Sequence, residues 1–261
     1  METVWITGAS SGIGEACACR WAEAGASLVL TSSSADRLSK VADRCREKGA
    51  SGVAVLPYDL RNPDGIGALV RQAWEAFGHL DTAFLNAGIS QRTSVEDTSM
   101  DMIREIMEIN YFSPVAIARE LLPLMEAAGG GHIAVTTSIA GRFGFPLRCG
   151  YSSSKFALYG FFETLRAEAY DKGIRVTLVC PGRVRTGISL RALDKGGKPH
   201  GVMDPGQERG IPPEKAAKTI LRAVRKGKRE VLVGGGELAM VHVKRFFPGL
   251  CARLARKIKP V

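Results

Sequence analysis

The chain has 261 residues, 45% of them hydrophobic and 24% charged, which is a soluble composition at a size still typical of one α/β domain. No apolar run approaches the ~20 residues a bilayer span needs, and METVWIT carries neither a basic flank nor a cleavable signal pattern, so a cytoplasmic location is expected. The net charge of +10 is uneven: residues 209–261 hold 14 Lys and Arg against 3 Asp and Glu, whereas residues 1–208 hold 22 against 23. A neutral body argues against nucleic-acid binding and leaves any anionic partner to the basic C-terminal segment.

Short apolar runs alternate with amphipathic stretches along nearly the whole chain. TVWIT is the first run, and it passes directly into Gly8-Ala9-Ser10-Ser11-Gly12-Ile13-Gly14. Glycines there permit a tight turn and let backbone N–H groups approach a pyrophosphate at the positive end of the following helix, although a plain strand-to-helix connection needs them too. SLVLT, GVAVLP, DTAFLN, HIAVTT, IRVTLVC and EVLVG complete a set of seven strands that are apolar on both faces, as a sheet covered on both sides requires. Between them GEACACRWAEAG, ADRLSKVADRCREKG and PDGIGALVRQAWEAFG read as helices closed by glycine. The order predicts a single-domain doubly wound α/β fold with right-handed crossovers.

Two segments break this rhythm. Thr98 to Ala128 is long for one helix, and Pro114 and Pro123 are expected to bend or interrupt it. Gly187 to Pro213 lacks periodicity and holds six glycines and four prolines, the composition of a functional or mobile loop. The six cysteines form no Cys-x-x-Cys pair and the four histidines do not cluster with them, so neither a metal site nor a disulfide framework is expected.

Tyr151 and Lys155 stand four apart, which puts both on one helix face. Alone, with Ser152, Ser153 and Ser154 between them, they would suit a solvated first turn. They do not stand alone. TGASSGIG at Thr7–Gly14, NAG at Asn86–Gly88, Tyr151-x-x-x-Lys155, Asp59-Leu60, Asn110, Ser138, Pro181-Gly182 and Thr186 together resemble the short-chain dehydrogenase/reductase family in its compact form, over about residues 1–235. The long loop and basic tail are faintly similar to hydroxysteroid-dehydrogenase-like members. The resemblance implies a Rossmann fold with a seven-stranded, mostly parallel sheet over residues 1–235, a substrate lid near 187–213, and 236–261 as a separate basic segment.

It also implies roles. Gly8, Ser10, Ser11, Gly12, Ile13, Gly14, Ser33, Asp59, Leu60, Asn86, Ala87, Gly88, Tyr151, Lys155, Pro181, Gly182, Val184 and Thr186 would line a nicotinamide cofactor. Asn110, Ser138, Tyr151 and Lys155 would be catalytic, with Ser138 and Tyr151 on the substrate and Asn110 anchoring a water relay to Lys155. Hydride transfer to a ketone leaves negative charge on oxygen, which must take a proton, and an ordinary tyrosine near pKa 10 is a poor exchanger at neutral pH. A lysine cation close by is expected to favour the phenolate.

At the end of the second strand Thr31, Ser32 and Ser33 replace the carboxylate that would repel a 2′-phosphate, and no arginine stands at Ser33 or Ser11 to bind one. Arg37 is either such a ligand or a solvated helix residue. NADP is therefore expected, with NAD allowed. The predicted activity is interconversion of an alcohol with a ketone or aldehyde on a small or lipid-like molecule. An epimerase or dehydratase on the same fold, and a non-enzymatic nucleotide-sensing interaction protein, are the alternatives. The resemblance alone implies a homodimer or homotetramer. For the tail, a docking helix or solvated cap competes with peripheral membrane contact, since Leu238, Met240, Val241, Phe246, Phe247 and Leu250 accompany Lys244, Arg245, Arg253, Arg256 and Lys257.

Overall fold

The structure, a computed structural model, describes residues 2–258. Its strands are β1 (Thr3–Thr7), β2 (Ser27–Ser32), β3 (Gly52–Pro57), β4 (Thr82–Leu85), β5 (Gly131–Thr136), β6 (Ile174–Pro181) and β7 (Glu230–Val233). They form one sheet in the order β3-β2-β1-β4-β5-β6-β7. All six pairings are parallel, so the expected mostly parallel sheet is wholly so. The helices are α1 (Gly12–Ala22), α2 (Ala35–Glu47), α3 (Ile66–Glu75), α4 (Met100–Met107), α5 (Ser113–Ala127), α6 (Cys149–Glu168), α7 (Pro205–Glu208), α8 (Pro213–Arg225), α9 (Ala239–Phe246) and α10 (Pro248–Ala255).

The period of two along each strand divides the core. Val4, Ile6, Leu28 and Leu30 point to one face and meet α1, α2 and α8 through Cys17, Trp21, Leu38, Val41 and Ile220. Trp5, Val29 and Leu85 point to the other and meet α3, α5 and α6 through Leu69, Leu121 and Phe162. Burying Trp5 completely is tolerable because its indole N–H donates to Thr31 Oγ1 at 2.9 Å. Strand order reverses between β1 and β4, which opens a crevice at their carboxyl ends where such sheets bind ligands.

The long helical segment breaks earlier than its prolines suggest. A π-helical turn over Glu108–Phe112 separates α4 from α5 and contains Asn110. Pro114 follows at the start of α5, where a missing N–H costs least, and Pro123 lies inside α5 without ending it. Buried Leu121 and Met125 flank Pro123 and hold it in place.

The 187–213 segment is better pinned than a bare loop. Leu193 N donates to Ser90 O and Arg92 N to Leu193 O, both at 2.8 Å, and Val184 bridges to Ile211. The basic segment is docked rather than free. Leu238, Met240, Val241 and Cys251 pack against Ile139, Phe143 and Cys180, and α9 and α10 form a helical hairpin over that corner. Among the described residues no helix is long and apolar enough to cross a membrane.

Candidate active site

The turn from β1 into α1 comes first in the chain and shapes the crevice floor. Gly8 has φ +66°, and a Cβ on Gly14 would lie 2.2 Å from the Gly8 carbonyl oxygen, so no side chain fits at either place. Ser10, Ser11, Gly12 and Ile13 are half-buried around the turn, and Gly12 lies against Thr186. The turn thus leaves a backbone cradle of the kind a pyrophosphate occupies. Asn86, following β4, ties the floor together: its N–H donates to Thr7 Oγ1 (3.0 Å), its amide to Thr7 O (3.3 Å), and its Oδ1 accepts from Thr136 Oγ1 (3.1 Å). Ala87 packs on Gly8, while Pro181, Gly182, Val184 and Thr186 line the far side after β6.

Ser33 is exposed at the end of β2, as expected. Asp59 is exposed too and already pairs with Arg61 at 3.2 Å, while the buried Leu60 offers its carbonyl to Ser113 Oγ at 2.7 Å. The sequence reading placed no arginine at Ser11, but the fold brings one: Arg191 Nη2 donates to Ser11 Oγ at 3.1 Å. Its pKa is lowered by burial and by the charge of Arg37, so two guanidiniums share this end of the crevice.

Ser138 follows β5 and starts a short 3₁₀ turn, its Oγ accepting from Ala140 N at 3.1 Å. Tyr151 and Lys155 share the inward face of α6, 8% and 3% exposed, and the Tyr151 hydroxyl lies near that of Ser138, whose Oγ also faces Pro181 O at 3.5 Å. Lys155 Nζ lies 5.8 Å from the Tyr151 ring centre and donates to Thr136 O at 2.8 Å. A Cβ on Gly88 would meet Asn110 Oδ1 at 3.1 Å and Lys155 Nζ at 3.5 Å, so this glycine lets both groups face one spot. Asn110 itself is engaged: Oδ1 accepts from Ile89 N (2.9 Å), and Nδ2 donates to Ile89 O and Ser154 Oγ (3.0 Å each). It fixes the chain after β4 against α6.

The electrostatics differ from the expectation of a lysine-tuned phenol. Burial raises the Tyr151 pKa, opposed by the nearby Ser138 hydroxyl and by the charges of Arg148 and Arg92. Lys155, buried without a carboxylate, is pushed down to about 7. The lysine expected to relieve the phenol is thus itself weakened by desolvation, and the charges that lower the Tyr151 pKa are those of Arg148 and Arg92.

Those guanidiniums were not foreseen. Arg92 donates through Nε to Asp204 Oδ1 at 3.0 Å and Arg148 through Nη2 to Asp204 Oδ2 at 2.8 Å, a buried cluster joining the 187–213 segment to the start of α6. Gln91 adds a further link, its Oε1 accepting from Tyr151 N at 3.1 Å. In the sequence Asp204 is one of several scattered charges, with no pattern to mark it. Beside Ser138 lies a cavity of about 40 Å³, enough for no more than a few water molecules, and Arg148, Arg183, Asp204 and Gln207 are among its lining residues. Among the described residues no group of three or more His, Cys, Asp or Glu is placed to hold a metal.

Residues 2–195 match the family model described as short chain dehydrogenase. The chain belongs to this family. It is 38% identical to dehydrogenase/reductase SDR family member 7B of Bos taurus over 96% of this chain and 79% of the relative. With dehydrogenase/reductase SDR family protein 7-like of Drosophila melanogaster it shares 34% identity over 94% and 76% of the two chains. Among solved structures, a short chain dehydrogenase/reductase from Burkholderia phymatum in complex with NAD superposes with a TM-score of 0.85 at 25% identity, covering 100% and 96% of the chains. An alcohol dehydrogenase from the archaeon Thermococcus sibiricus, complexed with 5-hydroxy-NADP, gives 0.77 at 29% identity over 90% and 97%. Short-chain dehydrogenases are oxidoreductases, and the seven-stranded sheet seen here is the framework these structures share.

Proposed function

We propose that this chain interconverts an alcohol with a ketone or aldehyde using NADP(H), with Tyr151 as the proton exchanger. One observation carries the reading: Ser138 and Tyr151, close to one another, stand at the same sheet edge as the glycine cradle, with Lys155 buried beside them. When bound, the nicotinamide would supply or accept the hydride. Ser138 donates a hydrogen bond to the substrate oxygen, and Tyr151 gives that oxygen its proton in reduction and removes it in oxidation. Lys155 holds positive charge near the phenol, and Asn110 is a positioning residue whose neighbour Gly88 leaves room for a water between it and Lys155. Screening ketones and alcohols with both coenzymes, by the absorbance of the reduced nicotinamide, tests the reading. Failure of every carbonyl and alcohol class with a coenzyme that demonstrably binds would refute it.

NADP is favoured over NAD by the absence of a carboxylate at Ser33 and by the two cations, Arg37 and Arg191, beside Ser11. Ser33→Asp is expected to lower kcat/KM for NADPH at least tenfold while sparing NADH, because like charges in contact cost more than the ~1.4 kcal/mol that a factor of ten represents. Steady-state kinetics with both coenzymes decides it, and equal losses for both would count against the assignment.

The 187–213 segment acts as a lid in this reading, since its residues Asp204, Gly206 and Gln207 line the cavity beside Ser138. Lys195, 74% exposed, offers trypsin a site on it. Cleavage there should slow when NADP(H) is added, and an unaltered rate would rule the lid out. The hairpin of α9 and α10 is the surface suited to peripheral membrane contact. Phe246, Phe247, Leu250 and Leu254 are exposed at its tip among Lys244, Arg245, Arg253, Arg256 and Lys257, and 239–258 contains no acidic residue. Flotation with anionic liposomes should carry the protein at low salt and release it at high salt. Absence of flotation at low salt excludes the contact.

A further inference from the structure

We infer that the substrate carries an oxyanion, a carboxylate or a phosphate ester, near its reacting carbonyl, and that Arg148 and Arg183 hold it. The inference rests on the oxidoreductase reading and names the substrate class for that same site.

Two guanidiniums, those of Arg148 and Arg183, and the single carboxylate of Asp204 line the cavity beside Ser138, and Arg92 stands behind Asp204. Arg92, with a side chain 1% exposed, and Arg148, 17% exposed, share Asp204. Arg92 is otherwise satisfied, giving further bonds to Ser90 Oγ at 3.0 Å and to the Gln91 carbonyl. Arg148 is not: its Nε is buried and has no partner among the described residues. A buried, unmade charged hydrogen bond on a residue that lines a cavity needs a reason. Arg183 lines the same cavity, and no side-chain partner for its guanidinium occurs among the described residues. The Glu237 carboxylate nearby is turned onto the N–H groups of Arg183 and Gly235, at 2.7 and 3.0 Å.

Backbone geometry agrees. Leu147 has φ +60°, the only non-glycine residue so placed among the described residues, and its carbonyl is held by Thr93 N at 3.2 Å. That left-handed turn, disfavoured for a branched side chain, sits immediately before Arg148 at the start of α6. Burial and the neighbouring Arg92 lower the Arg148 pKa to about 10, which still leaves it cationic at neutral pH. Asp204 lies on the proposed lid. When it withdraws, Arg92 and Arg148 lose their counter-ion a short way from Tyr151, and an anion on the incoming molecule replaces it.

The test uses the full chain with saturating NADPH and two matched pairs. One pair is 4-oxopentanoate against its methyl ester, and the other is 4-oxopentyl phosphate against 5-hydroxypentan-2-one. At least one anion should be preferred over its neutral partner tenfold or more in kcat/KM, and the pair that shows the preference tells carboxylate from phosphate. Arg183→Gln, at an exposed position whose guanidinium lies over Gly206 without a hydrogen bond to lose, should reduce that ratio fivefold or more through KM. Arg148→Gln should reduce it further, and Arg148→Lys should restore part of it. If Arg148 only latches the 187–213 segment, Arg148→Gln lowers anion and neutral partner by one common factor, the ratio stands, and the inference fails. It fails equally if neither anion is preferred. Should no probe turn over, calorimetric binding of 4-oxopentanoate and inorganic phosphate to the NADP-loaded protein decides. Binding weakened in both arginine variants supports the anion site, while binding absent from the parent or equal in all three overturns it. The oxidoreductase reading is judged separately, by whether any carbonyl is reduced.

Discussion

Tyr151→Phe should leave NADP(H) binding within a few-fold of the parent and lower turnover by about 10²–10⁴, the range of a positioned acid–base group. In barrier height that is roughly 3–5 kcal/mol. The change deletes one hydroxyl and no carbon, so the packing of α6 on the 3₁₀ turn Ile139–Gly141 is untouched. Ser138 keeps its bond from Ala140 N at 3.1 Å, so the cost to the fold stays within about 1 kcal/mol, the net worth of one hydrogen bond. Coenzyme fluorescence for binding and single-turnover kinetics for chemistry separate the two effects. A residual rate within tenfold of the parent would mean that the proton comes from elsewhere.

Lys155→Met should give a protein that is more stable and inactive. Burial holds the ammonium pKa near 7, against an ordinary value of 10.5. Between those two values the unfolded chain carries a proton that the native state lacks, so stability rises with pH across that window. Below pH 7 the cost of burying the charge is present in full, on the order of 4 kcal/mol. Methionine fills similar volume without charge. Its advantage is therefore largest at pH 7 and below, is reduced by the lost bond to Thr136 O, and disappears as the pH approaches 10.5. Urea unfolding of the cofactor-free protein at pH 6 and at pH 9.5 reads this directly. A variant less stable than the parent at pH 6 would show that the lysine is not a native-state burden, and the account of the site would need a different cation.

The fold was legible because each strand is marked on both sides. TVWIT alternates Trp5 against Val4 and Ile6, and the two faces meet different helices in the structure. Seven such runs separated by helices leave few topologies. Ser138, Tyr151 and Lys155 were legible through the family resemblance, which singled them out; spacing alone put only the last two on one helical face. What escaped was whatever the fold assembles across distance. Arg92 reaches Asp204 over 112 positions, Arg148 reaches it over 56, and Arg191 reaches Ser11 over 180. No local pattern records such meetings. The π-helical turn at Asn110 was missed because Pro114 draws attention to itself while the change of pitch lies just before it. The desolvation of Lys155 was missed because composition shows a charge and not its surroundings.

Asn86 ties the ends of β1 and β5 to the turn that begins α1, through hydrogen bonds of 3.0 to 3.3 Å. Parting those ends would strip several polar groups of their partners at once, so that jaw of the crevice is fixed. The opposite jaw is held by Leu193, the carboxylate shared by Arg92 and Arg148, the Val184–Ile211 bridge and the bond from Arg191 to Ser11. In the lid reading proposed above, access to the reacting atoms would be one-sided, and the rate of loading would be set by how fast Asp204 releases Arg92 and Arg148.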